Sequence, residues 1–203
     1  YYTHFKDKTE LLRDILGTSD DPMQRYKVNV ALAENYSAYS FDSTQTYLQA
    51  NLDIARQLGD RDKEIETDFA MAMSFVKAGY YLKAAEKMSA YKENALPQEY
   101  VCDYCMIMSR LYSEQLQDAA SEATYNALVQ LRDSYSSRLI NYVQEGTRDW
   151  YLVRFRNLPE SDAEGRREMA RGMLELSAEG SRNYAEAAYF YSTTFAGEDE
   201  EMH

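Results

Sequence analysis

The sequence is poor in residues that interrupt helices and in residues that carry most enzyme chemistry. Only three prolines and eight glycines stand among 203 residues. The glycines never cluster, so no loop can cradle a phosphate at a helix N-terminus. The two histidines, His4 and His203, lie at opposite ends. No serine stands in a nucleophile elbow, and neither histidine is placed to act as its base. Two cysteines, Cys102 and Cys105, are too few for a disulfide framework. No apolar run approaches the roughly 20 residues that span a bilayer, and no secretory h-region is visible. No segment alternates polar and apolar residues with period two over a useful length, so no sheet is expected. Positive charge is scarce as well. Against 34 Asp+Glu there are 22 Lys+Arg, a formal charge of −12, which would repel DNA, RNA or anionic lipid as a direct partner.

What remains is helix-forming. Hydrophobic residues make up 45% of the chain, too many for a disordered segment. Ala, Glu, Leu, Met and Arg are plentiful. Asp21-Pro22 supplies an N-cap and a first-position proline, opening a helix from about Met23 to Tyr39. Asp42-Ser43 opens a second, with Leu48, Leu52 and Ala55 on one face, which stops at Gly59. Asp60 to Asp62 open a third, with Ile65, Phe69, Ala72 and Val76 in helical phase, which stops at Gly79. A fourth carries Leu82, Ala85, Met88 and Tyr91 and ends before Pro97. The fifth, from about Gln98, shows Val101, Tyr104, Met108 and Leu111. A sixth, from near Asp118, carries Ala120, Ala123, Ala127, Leu128 and Leu131. Residues 139–144 read as a short separate helix, and Trp150, Leu152 and Phe155 as another. Ser161 and Glu164 form a capping box, opening a helix that carries Met169, Met173 and Leu176 and stops near Gly180. A last helix holds Tyr184, Ala187, Ala188, Tyr191 and Phe195.

A small residue followed three positions later by an aromatic recurs mid-helix, as Ala33/Tyr36, Ala72/Phe75, Ser109/Tyr112 and Ala188/Tyr191. The spacings are 39, 37 and 79 residues, the last about twice the others. A copy expected near 148 or 149 is missing, since Arg148-Asp149 do not fit. Periods of this size with two helices each indicate a helical solenoid. The small residue lets neighbouring helices approach, and the aromatic one turn on fills the wedge between them. Part of the surplus of 19 tyrosines is explained in this way.

Met71-Ala72, Phe75, then Gly79-Tyr80-Tyr81-Leu82-Lys83-Ala84, Met88 and Pro97 resemble a tetratricopeptide repeat, with Ala120 and Ala123 a looser echo. The first unit departs from the pattern, with Thr44 where Ala is usual. The resemblance implies an all-α fold, a right-handed α-solenoid of antiparallel helix pairs. The expectation is a single solenoid over 1–203, of about four and a half units, diverged near 139–180. Over nearly the whole chain, Phe41-Asp42-Ser43, Tyr47-Leu48-Gln49-Ala50, the stretch 54–60 and Leu131-Arg132-Asp133-Ser134 are similar to the N-terminal repeats of bacterial membrane-anchored tetratricopeptide regulators. That resemblance implies a periplasmic sensor region. It implies that the chain, which begins at Tyr1 and not Met, is a fragment of a longer transcriptional regulator anchored in the inner membrane. A cytoplasmic location is the alternative.

Chemistry-bearing constellations are weak. Cys102 and Cys105 form a C-x-x-C pair, which could be a redox pair or half a zinc site. Zinc would need two more ligands, and no strand precedes the pair as a redox motif would want, so both read as core side chains. Trp150 reads as core in preference to a surface anchor. Asn35-Tyr36-Ser37 matches a glycosylation sequon inside a helix and is read as chance. Glu200 and His203 read as an acidic tail. Acidic pairs such as Asp20-Asp21 and Asp60/Asp62 fall at helix starts, where they complement the dipole. No catalytic residue, metal ligand or cofactor is assigned.

The function expected is protein or peptide binding, with no direct nucleic-acid contact and no membrane insertion by this region. A passive self-assembly module and a helical enzyme using carboxylates are the alternatives. In the tetratricopeptide pattern, groove positions lie three before and one after the small residue. They fall on Val30, Glu34, Phe69, Met73, Met106 and Arg110. Arg110 is expected to supply a cation for a ligand carboxylate.

Overall fold

Helix boundaries follow from residues that can satisfy orphan backbone amides. The computed structural model describes residues 2–195, all helix and connecting turn, with no strand among them. The helices are α1 (Tyr2–Thr18), α2 (Pro22–Tyr36), α3 (Phe41–Leu58), α4 (Arg61–Lys77), α5 (Tyr81–Ser89), α6 (Gln98–Gln115), α7 (Glu122–Leu139), α8 (Arg148–Asn157), α9 (Ala163–Glu175) and α10 (Arg182–Thr193). They cluster into two compact units, Tyr1–Gln117 and Asp118–His203. Among the described residues no helix is long and apolar enough to cross a membrane. Glu200 and His203 lie outside the described residues.

In the first unit two turns are closed by the same device. Gly59 and Gly79 adopt φ of 66° and 79°, the left-handed region. Asp60 N–H then donates to the Ala55 carbonyl and Gly59 N–H to that of Arg56; Tyr80 and Gly79 repeat the pattern on Phe75 and Val76. Both are Schellman closures. Asp60 then serves as N-cap of α4, its carboxylate accepting from Lys63 N–H at 3.0 Å. One residue thus ends α3 and the next begins α4, which sets the two helices side by side. Successive helices from α1 to α5 pack on one another, and α6 packs on both α4 and α5.

Small residues stand where the repeat requires them. Ala33 and Ser109 are buried, and Ala72 is 0% exposed. Three details depart from the sequence reading. The helix α1 precedes Asp21 and was not anticipated. Its apolar residues give a poor stripe, with Leu11 largely exposed and Leu12, Ile15 and Leu16 only half-buried. The N-cap of α3 is Ser40, whose hydroxyl accepts from Ser43 N–H at 3.2 Å, and not Asp42. In α5 the buried residues are Ala84 and Met88, continued by Tyr91 just past its end, while Leu82 faces solvent.

The tyrosines form much of the interior. Phe69 meets Tyr91 edge-on at 5.3 Å, Tyr100 edge-on at 6.4 Å and Tyr104 at 6.2 Å. Beside it the Tyr91 hydroxyl donates to Asp68 at 2.6 Å, and Lys87 Nζ pairs with the same carboxylate at 2.8 Å. Tyr26 meets the Thr67 hydroxyl at 2.9 Å. Burial pushes the Tyr100 hydroxyl up to about 12. Burial also raises Tyr91, assisted by the hydrogen bond to Asp68, and burial raises Tyr26. A raised folded-state value means the protein holds protons that the unfolded chain has lost above about pH 10. This contribution to stability is full below pH 10 and declines above it. Urea midpoints measured from pH 8 to 11 should therefore fall above pH 10, and Tyr91→Phe should make that fall shallower. A midpoint independent of pH across this range would contradict the assignment.

The second unit differs in its cations. Residues 118–203 contain nine arginines and no lysine, whereas residues 1–117 hold all eight lysines. Several of these guanidinium groups lie over rings: Arg138 on Tyr135 at 4.5 Å, Arg154 on Trp150 at 4.8 Å and Arg166 on Phe155 at 4.5 Å. The planar guanidinium is the cation suited to such stacking. Trp150 is half-buried and edge-on to Tyr151 at 5.0 Å. A small core of Phe155, Ala170, Met173 and Ala187 joins α8, α9 and α10. Gly172 admits the Tyr151 ring into the space a Cβ would occupy.

Here the sequence reading needs four corrections. Ala187, and not Ala188, is fully buried, so the last repeat is one residue out of phase. Leu139 ends α7 and a turn through Gly146 follows, with no helix at 139–144. Asp162, and not Ser161, caps α9, its carboxylate accepting from Gly165 N–H at 2.9 Å. The supposed face of the sixth helix is mostly open: Ala120, Ala123, Ala127 and Leu131 are exposed, and the buried residues of α7 are Ser136 and Leu139.

Candidate functional site

Three helical stripes converge on a groove of about 530 Å³ in the first unit. From α2 and its C-cap come Tyr26, Val30, Ala33, Glu34 and Ser37, which share a face at spacings of three and four. From α3 come Thr44, Leu48 and Asn51, again at four and three. From α4 come Thr67, Ala70, Met73, Ser74 and Lys77. The space exists because facing positions are small. Ala33, Ser37, Ala70 and Ser74 leave a channel that larger side chains would close. The volume falls in the range of small-ligand and peptide sites.

Polar groups in the groove are unevenly satisfied. Glu66, on the rim, is paired with Lys63 at 2.7 Å. Lys77 is engaged in an interaction of its own. Glu34 is exposed and has no ion-pair or hydrogen-bond partner for its carboxylate among the described residues. Asn51 is 0% exposed. Its amide donates to the Tyr26 carbonyl at 3.1 Å, while its Oδ1 has no donor among the described residues.

The structure sorts the expected site residues into three places. Val30, Glu34 and Met73 line the groove. Phe69 is 5% exposed and belongs to the aromatic interior. Met106 and Arg110, half-buried on α6, are not on the groove lining. The Arg110 guanidinium is committed to Glu114, at 3.1 Å, within its own helix. Sequence reasoning missed Asn51, Thr44 and Ala70. Asn51 carried a usable signal, as an amide inside the apolar stripe Leu48, Leu52, Ala55. Of the cysteine pair, Cys105 is buried and Cys102 half-buried, both on α6. Among the described residues no group of three or more His, Cys, Asp or Glu is placed to hold a metal ion.

The arrangement offers a shape, acceptors and an anion. No nucleophile, base and orienting group come together in it. Helix pairs with buried small residues at their contacts and a groove between the first helices of adjacent pairs are the features of a repeat scaffold. Tetratricopeptide domains generally bind proteins or peptides. No curated protein and no solved structure matches the chain. The family described as the SusR N-terminal TPR domain matches residues 1–203, and the chain belongs to that family.

Proposed function

We propose that the chain is a non-catalytic binding scaffold that takes a peptide segment of a partner protein in the groove between α2, α3 and α4. The observation that carries the reading is the groove itself, where small side chains at facing positions of three helical stripes open about 530 Å³ beside a well-packed core. Membership of a family of N-terminal regulator domains supports a role as the sensing or interaction region of a bacterial membrane-anchored transcriptional regulator, on the extracytoplasmic side.

Filling the groove tests this. Ala70 is exposed on its wall, so Ala70→Trp adds bulk without entering the core. A displayed library of random peptides is selected on the wild-type protein, and enriched sequences are resynthesised with a fluorescent label. The expected result is a loss of tenfold or more in affinity for Ala70→Trp, with the thermal melt shifted by no more than about 2 °C, as surface changes normally leave stability within about 0.5 kcal/mol. Peptides that bind both proteins equally would place recognition elsewhere.

A further inference from the structure

The α4 stripe from Glu66 to Lys77 measures the groove. Eleven residues of helix at 1.5 Å each give about 16 Å, the length of about five residues of extended chain. Of the three charged side chains on its lining, Glu34 is without a partner among the described residues. The other charges are occupied, Glu66 by Lys63 and Lys77 by its own contact. Arg110, the cation expected to hold a ligand carboxylate, is taken by Glu114. The protein's charge of −12 attracts cations and repels acidic partners, a second copy of the chain included.

We infer that the groove takes an extended basic segment of a partner protein, seating a Lys or Arg side chain against Glu34. This rests on the binding role proposed above for the same groove. The apolar part of the basic side chain lies along Val30 and Met73, whose half-buried surfaces flank Glu34. Lys and Arg stems cover apolar surface in this way while their charged ends stay in contact with water or an anion. The sign is the reverse of the one suggested by Arg110 in the sequence.

The test uses the peptides enriched from the displayed library and lost on Ala70→Trp. They should share a Lys or Arg at one position. Labelled versions with Arg, Gln or Glu at that position are compared by fluorescence polarisation on wild type and on Glu34→Gln. The expected order on wild type is Arg, then Gln, then Glu, with about two- to fivefold between the first two. Glu34→Gln should remove most of that preference. Raising the salt concentration should weaken the Arg peptide alone. Groove-dependent peptides with no basic position, or an Arg preference that survives Glu34→Gln, would overturn the inference and leave the binding groove standing. If no peptide depends on Ala70, both fail.

Discussion

Phe69→Ala is expected to lower the melting temperature of the protein by on the order of 10 °C, from a loss of about 3–5 kcal/mol. Phe69 is surrounded by three tyrosine rings at 5.3, 6.4 and 6.2 Å. Truncation removes the transfer energy of a whole ring and leaves a cavity that rings on α6 and beside α5 cannot collapse into. It also abolishes edge contacts worth about 0.5–1.5 kcal/mol each. Phe69→Leu fills most of the space and should cost about half as much. Differential scanning calorimetry separates the outcomes. A Phe69→Ala melt equal to wild type would mean that the ring is not in the core. The sequence pattern put Phe69 on a binding face, where the same change would leave stability nearly untouched, so one melt decides between the two placements.

Asp68→Ala should cost about 2–3 kcal/mol. Asp68 is 8% exposed, and its carboxylate holds both the Tyr91 hydroxyl and Lys87. Removing it leaves the hydroxyl without an acceptor and the ammonium without a counter-charge. Breaking a fully buried pair costs about 3–5 kcal/mol. The lower figure follows because the Lys87 side chain keeps 23% of its surface exposed and can turn its charge to water. Asp68→Asn retains one acceptor and should fall between. The double change Asp68→Ala with Lys87→Met removes the stranded charge, and in urea titrations it should recover about 1 kcal/mol over Asp68→Ala alone. Equal midpoints for Asp68→Ala and wild type would show that the tie between α4 and α5 carries no stability.

Local chemistry made much of the fold legible. Gly59 and Gly79 can be seen as helix ends because a left-handed residue needs glycine there. Asp21 and Asp60 can be seen as caps because their carboxylates reach amides two or three residues on. Ala72 can be seen as a close contact from its phase with Phe75. What the sequence could not show was the neighbour across each face. Leu82 and Ala84 both suit α5, and only the packing of α4 and α6 decides that Ala84 goes inward. Ala187 and Ala188 are equally small, and one position of rotation separates them. In α7 a plausible apolar stripe lies open because periodicity states which residues share a face and not whether anything covers it. The site was legible in the same measure. Val30, Glu34 and Met73 followed from repeat phase, but Phe69 shares its helix with Met73 and turns toward Tyr91 instead. The charge of the groove depended on Arg110 lying off its lining and on the pairing of Lys63 with Glu66, which become visible only when side chains are placed.

The most direct measurement of the central claim is hydrogen exchange of the protein with and without a saturating selected peptide. Exchange should slow from Ala33 to Ser37 at the end of α2 and in α4 around Ala70 to Lys77, the two walls of the groove, with little change in α8 to α10. Protection confined to α7 through α10, with the groove helices unchanged, would contradict it.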